Sequence, residues 1–169
     1  MRIGDPMLRA IASEHKVGDS GHEEWYLQDL ERLGFPQPRA DELFSDTHAA
    51  ARIALFQLVA IVYGSTSDLD RIVFLYVLEG AGHVFFRRTA KALSSLNRLR
   101  GLRYFGKSHL DAELDHGMFK TDAEGKDEKP WESALEPGDL TSAEMVVKRV
   151  FTAFEEMFSG IYERASRPR

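Results

Sequence analysis

Apolar residues in this chain recur at helical spacing rather than in alternation. In the C-terminal segment Val146, Val147, Val150, Phe151, Phe154, Phe158 and Ile161 fall on one stripe, the spacing that gives a helix a single apolar face. Thr141 with Glu144 three residues later reads as the capping box that starts this helix, which should end near Ala165, before Pro168. At the other end of the chain, Asp5-Pro6 pairs a capping carboxylate with a proline in the first turn. A helix starting there is predicted to run, with irregularity, to Leu33, where Gly34 is its stop; Gly18 and Gly21 weaken its middle. Phe35-Pro36-Gln37-Pro38 is a connector, because each proline restricts the residue before it. A second helix is expected over Asp46 to Tyr63, broken by Gly64-Ser65-Thr66-Ser67. Ser67 can cap a third, with Asp70 in its first turn, running to about Leu96. A fourth should cover Leu102 to His116.

No alternating run is bounded by turn signals, so the fold class expected is all-α, with little or no strand. Lys120 to Asp139 is densely charged and holds two prolines, which reads as a surface loop. That loop is either a solvated connector or a lid that Trp131 pins down. Residues 1–169 should form a single helical domain.

Composition narrows the function classes. Of the residues, 43% are hydrophobic and 29% charged, a globular balance. Lys plus Arg is 22 against 27 for Asp plus Glu, a net charge of -5, which argues against a nucleic-acid partner. Cysteine is absent, so disulfides, thiolate metal sites and a cysteine nucleophile are excluded. The longest apolar stretches, Ile53 to Tyr63 and Ile72 to Leu78, fall short of a bilayer span, and Gln57 interrupts the first. The N-terminus lacks the apolar core of a signal peptide, so no membrane association and a cytoplasmic location are expected.

Against this background the histidines stand out. His15, Asp19 and His22 repeat the spacing of His109, Glu113 and His116: histidine, three residues, carboxylate, two residues, histidine. On a helix such positions fall within about 60° of one another, so each triplet can aim two imidazoles and a carboxylate at one point. Nitrogen and carboxylate donors of this kind suit iron, manganese or zinc. The plainer alternative for one triplet is a solvated face with contacts between successive turns, and the matched pair favours metal. Glu79 follows the apolar run Ile72 to Leu78, where a carboxylate is costly unless it is paired or binds a metal. It either ligates metal or forms a buried salt bridge, for example with Arg87 or Arg103. Gly80, Ala81 and Gly82 would let a neighbouring helix or a ligand come close. His83, one turn beyond Glu79, is a further ligand, a hydrogen-bonding neighbour of one, or a satisfied core histidine; His48 has no assigned role. The candidate metal set is therefore His15, Asp19, His22, Glu79, His109, Glu113 and His116, too many for one ion and suited to two with open positions. Phe85, Phe86, Tyr104 and Phe105 are candidates to line a pocket, although aromatic residues at this spacing also simply build cores.

At these residues the chain resembles the haem-oxygenase-like superfamily, in its branch of non-haem di-iron oxidases, or iron-containing redox enzymes. His15, Asp19, Gly21-His22, Trp25, Asp29-Leu30 and Leu33-Gly34 resemble that branch's first motif, and Leu78-Glu79-Gly80 its middle glutamate. His109, Glu113 and His116, within Tyr104-Phe105 to Gly117, resemble its last motif. Asp19 stands where glutamate is usual and Glu113 where aspartate is commoner. The resemblance implies a multi-helix bundle, two iron ions (with manganese possible), dioxygen and a small-molecule organic substrate. Members usually carry more helix before the first motif, so the resemblance implies that this chain lacks an N-terminal helix and covers the exposed face by forming a homodimer. Two other classes stay open. One is a metal- or haem-binding bundle without turnover, ferritin-like or haem-oxygenase-like. The other is a helical interaction protein. A thiaminase-type relative would need a cysteine nucleophile, which is absent.

Overall fold

Aspartate and proline start the first helix where the sequence places it. The computed structural model describes residues 3–65, 67–115 and 136–167, except for the side chains of 113–115 and 137. In α1 (Pro6–Gly18) the Asp5 carboxylate accepts the Leu8 N–H at 2.9 Å, so one of the donors left over at the helix start is satisfied. The single N-terminal helix expected to Leu33 is in fact two. Gly18 ends α1, and α2 (His22–Leu33) begins after Gly21, whose φ of 90° lies in the left-handed region that side chains disfavour. α2 ends as expected at Gly34, also left-handed. After the proline connector come a single turn, α3 (Ala40–Leu43), a 3-10 turn over Asp46–His48, and α4 (Ala49–Gly64). Ser67 caps α5 (Asp68–Ser95), its hydroxyl accepting the Leu69 N–H at 3.1 Å.

The next helix starts later than expected. Residues 102–106 form a tight turn, and α6 spans Lys107–Asp115. The last helix starts earlier: α7 runs Pro137–Ala165, with proline in its first turn and the Asp139 carboxylate accepting the Glu136 N–H at 3.0 Å. Thr141 and Glu144 therefore lie inside the helix. The expected loop over 120–139 loses its last residues to α7; the rest of it, including Trp131, lies outside the described residues. No strand occurs among the described residues, and the protein is all-α.

α5 is the central element. On one side Val73 and Phe74 pack with Ile61 of α4 and with Val146 and Val150 of α7; on the other Ile72 packs with Leu8 of α1 and Ile3. α4 and α7 run antiparallel. Ala50 meets Gly160, where an added Cβ would lie 2.8 Å from the alanine's, and Gln57 donates to Glu156 at 3.0 Å. α5 and α7 run parallel, since Ser142 donates to Asp70 at 2.9 Å and the Phe85 and Phe158 rings stack further along. Only Ala54 and Ile61 of α4 are fully buried. Among the described residues one segment, Asp46–Gly64, has the length and mean hydropathy (1.3) to cross a membrane; here α4 lies along α7.

Candidate metal centre

The centre begins with a latch far from it. Asp68, at the start of α5, accepts the backbone N–H groups of Gly4 (2.6 Å) and Asp5 (2.9 Å), and Arg71 pairs with the same carboxylate at 2.7 Å. These bonds hold the Asp68 carboxyl below its ordinary value, the Asp5 N–H contributing most. The two helices thus start level and run parallel. Eleven residues on from Gly4 is His15, and eleven on from Asp68 is Glu79. Eleven residues are about three helical turns, so the face that meets at the latch meets again at that level. There His15 Nδ1 lies 3.3 Å from Glu79 Oε1. His15 Nε2 lies 3.0 Å from Asp19 Oδ2, one turn on at the residue that caps the end of α1.

Ligand atoms of His15, Asp19 and Glu79 all fall within 4.8 Å of one another. Glu79 is buried, at 9% exposure, and among the described residues it pairs with His15 rather than with Arg87 or Arg103. Arg103 instead sits over the Trp25 ring, 4.2 Å from its centroid. The imidazole of His15 bridges two carboxylates. Its hydrogen bond to Asp19 raises its pKa above the ordinary 6.5; burial opposes this, and the charges of Asp19 and Glu79 add to it.

His22 joins by a different route from the one its spacing suggests. His15 and Asp19 share a helical face, but the helix breaks between Gly18 and His22, with Gly21 in the left-handed region. His22, the first residue of α2, thereby brings Nδ1 to 3.7 Å from Asp19 Oδ1. Asp19 is approached from both sides, by His15 on one oxygen and His22 on the other. It is also the exposed member of the group, its side chain 45% accessible.

His109 comes from α6. Its ring meets His22 edge-on at 4.4 Å between centroids and is 4% exposed. Phe86 packs against it at 4.2 Å, and Tyr104 stacks on it at 4.8 Å. Its Nδ1 is 2.9 Å from the Tyr104 carbonyl oxygen, which can only accept, so Nδ1 carries the proton. Five of the seven candidate ligands, His15, Asp19, His22, Glu79 and His109, are therefore neighbours. Glu113 is in α6 one turn beyond His109, but its side chain, like the whole of His116, lies outside the described residues. His83 is half-buried on α5 and is not among the described residues whose ligand atoms converge; His48 ends the 3-10 turn.

A cavity of about 770 Å³ opens beside this group, between α5 and α7. Phe86 and Tyr104 form its wall on the His109 side, and Phe85, Phe151, Phe154 and Phe158 line much of the rest. Gly80, Ala81 and Gly82 border it. Phe105 is not part of this lining; its ring packs on Tyr104 and Tyr26. The α7 stripe thus divides its labour. Val146 and Val150 are core, while Phe151 and Phe158 are about half exposed and face the cavity.

Two residues of consequence had no assigned role in the sequence. Asp68, beside the capping Ser67, is not singled out there. Asp29 is fully buried on α2, two turns from His22, and holds the turn before α6. Its signal is the seven-residue spacing from His22, which puts both on one face. No protein-family model matches the chain, and no curated protein matches it.

Proposed function

We propose that the protein is a non-haem di-iron oxidase that uses dioxygen to oxidise a small, largely apolar organic molecule. One observation carries the reading: ligand atoms of His15, Asp19 and Glu79 lie within 4.8 Å of one another, at the junction of α1, α2 and α5. The donor set fits iron, with manganese as the alternative, because it offers imidazole and carboxylate and no thiolate. His15, Asp19 and Glu79 would hold one ion. His22 and His109, with Asp19 shared between the two groups and with Glu113 and His116, would hold the second. The chemistry that iron would supply there is electron transfer to dioxygen, which the side chains do not provide.

The chain's own residues account for the rest. Asp19 and Glu79 place the negative charge that cations need. Buried Glu79 and His109 sit where water is scarce, which strengthens that attraction. Metal binds only to neutral imidazole, so protonation of His15, which the two carboxylates favour, competes with metal. The cavity is in the size range of small-molecule sites, and its mainly aromatic lining, with Arg88 and Glu155 also on it, favours a largely apolar substrate surface. Phe86 and Tyr104, shared between cavity and His109, bring substrate beside the centre. We place the enzyme in the cytoplasm, as a homodimer.

The test is to load the purified protein with ferrous iron without oxygen, measure bound iron, and then admit dioxygen. Two irons per chain and a transient visible absorption support the proposal. A Soret band would point to haem binding, and failure to retain metal would leave a helical interaction protein.

A further inference from the structure

We propose that Asp29 is a positioning residue that sets the tautomer of His109 through the backbone of the turn before α6; this rests on the reading of His109 as a metal ligand. Asp29 is 0% exposed, and its two oxygens are committed separately. Oδ1 accepts the Arg103 N–H and Oδ2 the Phe105 N–H, each at 3.0 Å. Arg32, one turn along α2, lies 3.6 Å from Oδ1 and donates to the Gly101 carbonyl, so the buried charge has a cation beside it and the turn a second tie to α2.

The residue between the two held amides is Tyr104. Its carbonyl accepts from His109 Nδ1 at 2.9 Å, and its ring stacks on the same imidazole with 25° between the planes. The turn has little room to rearrange, because at Gly106 even a Cβ would fall 2.1 Å from the Leu102 carbonyl oxygen. A carbonyl bonded to Nδ1–H leaves the lone pair of the ring on Nε2. The order of causes is therefore Asp29, then the amides of Arg103 and Phe105, then the direction of the Tyr104 carbonyl, then the nitrogen of His109 that can bind metal. A ligand histidine commonly has its other nitrogen held in this way. Here the holder is a backbone carbonyl, and the carboxylate acts one step further back. Only a carboxylate serves both amides: an asparagine has one acceptor oxygen, and its NH₂ would face the second N–H.

The experiment uses the metal-free, full-length chain labelled with ¹⁵N, reading imidazole tautomers from long-range proton–nitrogen correlations, with His109→Gln to assign the signals. The wild type is expected to show His109 protonated on Nδ1. Asp29→Asn should keep its helical circular dichroism but show His109 as a mixture of tautomers, and should bind ferrous or cobaltous ion about tenfold or more weakly. Tyr104→Phe, which retains the carbonyl, should leave the tautomer unchanged. An Nε2–H tautomer in the wild type would overturn the proposal whether or not the variant folds, as would an unchanged tautomer in folded Asp29→Asn. If the tautomer shifts as stated and neither protein takes up metal, the link from Asp29 to His109 stands and the metal reading of His109 falls.

Discussion

His15 sits where the protonation of a single imidazole decides two opposite trends. In the metal-free protein the hydrogen bond to Asp19 raises its pKa above 6.5. A base with a raised folded-state value stabilises the fold fully below its unfolded value, and that stabilisation is lost as pH rises through the folded value. Thermal melting of the metal-free wild type should therefore weaken with rising pH above about 6.5, the reference value of an imidazole, and His15→Gln should flatten this slope. Metal affinity should run the other way and fall as pH is lowered, because protons compete for the ring. Titration with ferrous ion across the same range measures that trend. Glu79 gives a sharper single test. Glu79→Gln keeps the volume and removes the charge, so it should lower metal affinity about tenfold or more, on the scale of other metal-site perturbations. Its ion-pair partner among the described residues is a histidine and not an arginine, so among them no permanently charged cation is stranded. Melting of the metal-free variant should accordingly change far less than metal binding does.

At the scale of elements, two glycines separate helix propensity from packing. Gly80 lies inside α5, and a Cβ there would meet nothing within 4 Å. Gly80→Ala should stabilise the protein by about 0.5–1 kcal/mol, the helix-interior difference between the two residues. At Gly160 in α7 the same change gains the same propensity but puts the new Cβ 2.8 Å from that of Ala50 in α4. Overpacking costs about 1–3 kcal/mol, so the clash outweighs the propensity and Gly160→Ala should destabilise. Denaturant melts of the two variants check the signs. A rise in stability for Gly160→Ala would mean that α4 and α7 are less tightly apposed than the structure has them.

The whole molecule carries an uncovered face. On α4, Ile53, Leu55, Phe56 and Tyr63 are each more than half exposed, and Val59 is 43% exposed. Together these leave on the order of 600 Å² of side chain on one element, at the upper end of what a monomer shows. Paired across a two-fold axis, two such faces would cover on the order of 1,200 Å², the lower bound for a specific interface. Sedimentation equilibrium should find a concentration-dependent dimer, and Phe56→Lys should weaken it at least tenfold without changing metal uptake. A monomer at all concentrations would remove the homodimer from the proposed function. If the proposed site binds metal, loading should also raise the melting temperature in proportion to site occupancy, since only the folded chain brings the candidate ligands of α1, α2, α5 and α6 together.

Local rules made much of this legible in advance. Asp5-Pro6, Ser67 and Gly34 mark helix ends because a cap needs only its own turn. The pairing of His15 with Asp19 follows from helical periodicity alone. The approach of His22 does not. His22 reaches Asp19 across a break, because the left-handed Gly21 ends one helical path before α2 begins another. The start of α7 was hidden by competing signals, Pro137 with Asp139 against Thr141 with Glu144, each a sound cap in isolation. The partner of Glu79 was out of reach of the sequence. Burial required some compensating group, for which Arg87 and Arg103 were examples, but His15 is selected by the register of α1 on α5 that the Asp68 latch sets three turns away. Local sequence thus determined the helices and the residue types with the chemistry. Tertiary packing decided which of them meet, because register and crossing are set by contacts between segments far apart in the chain.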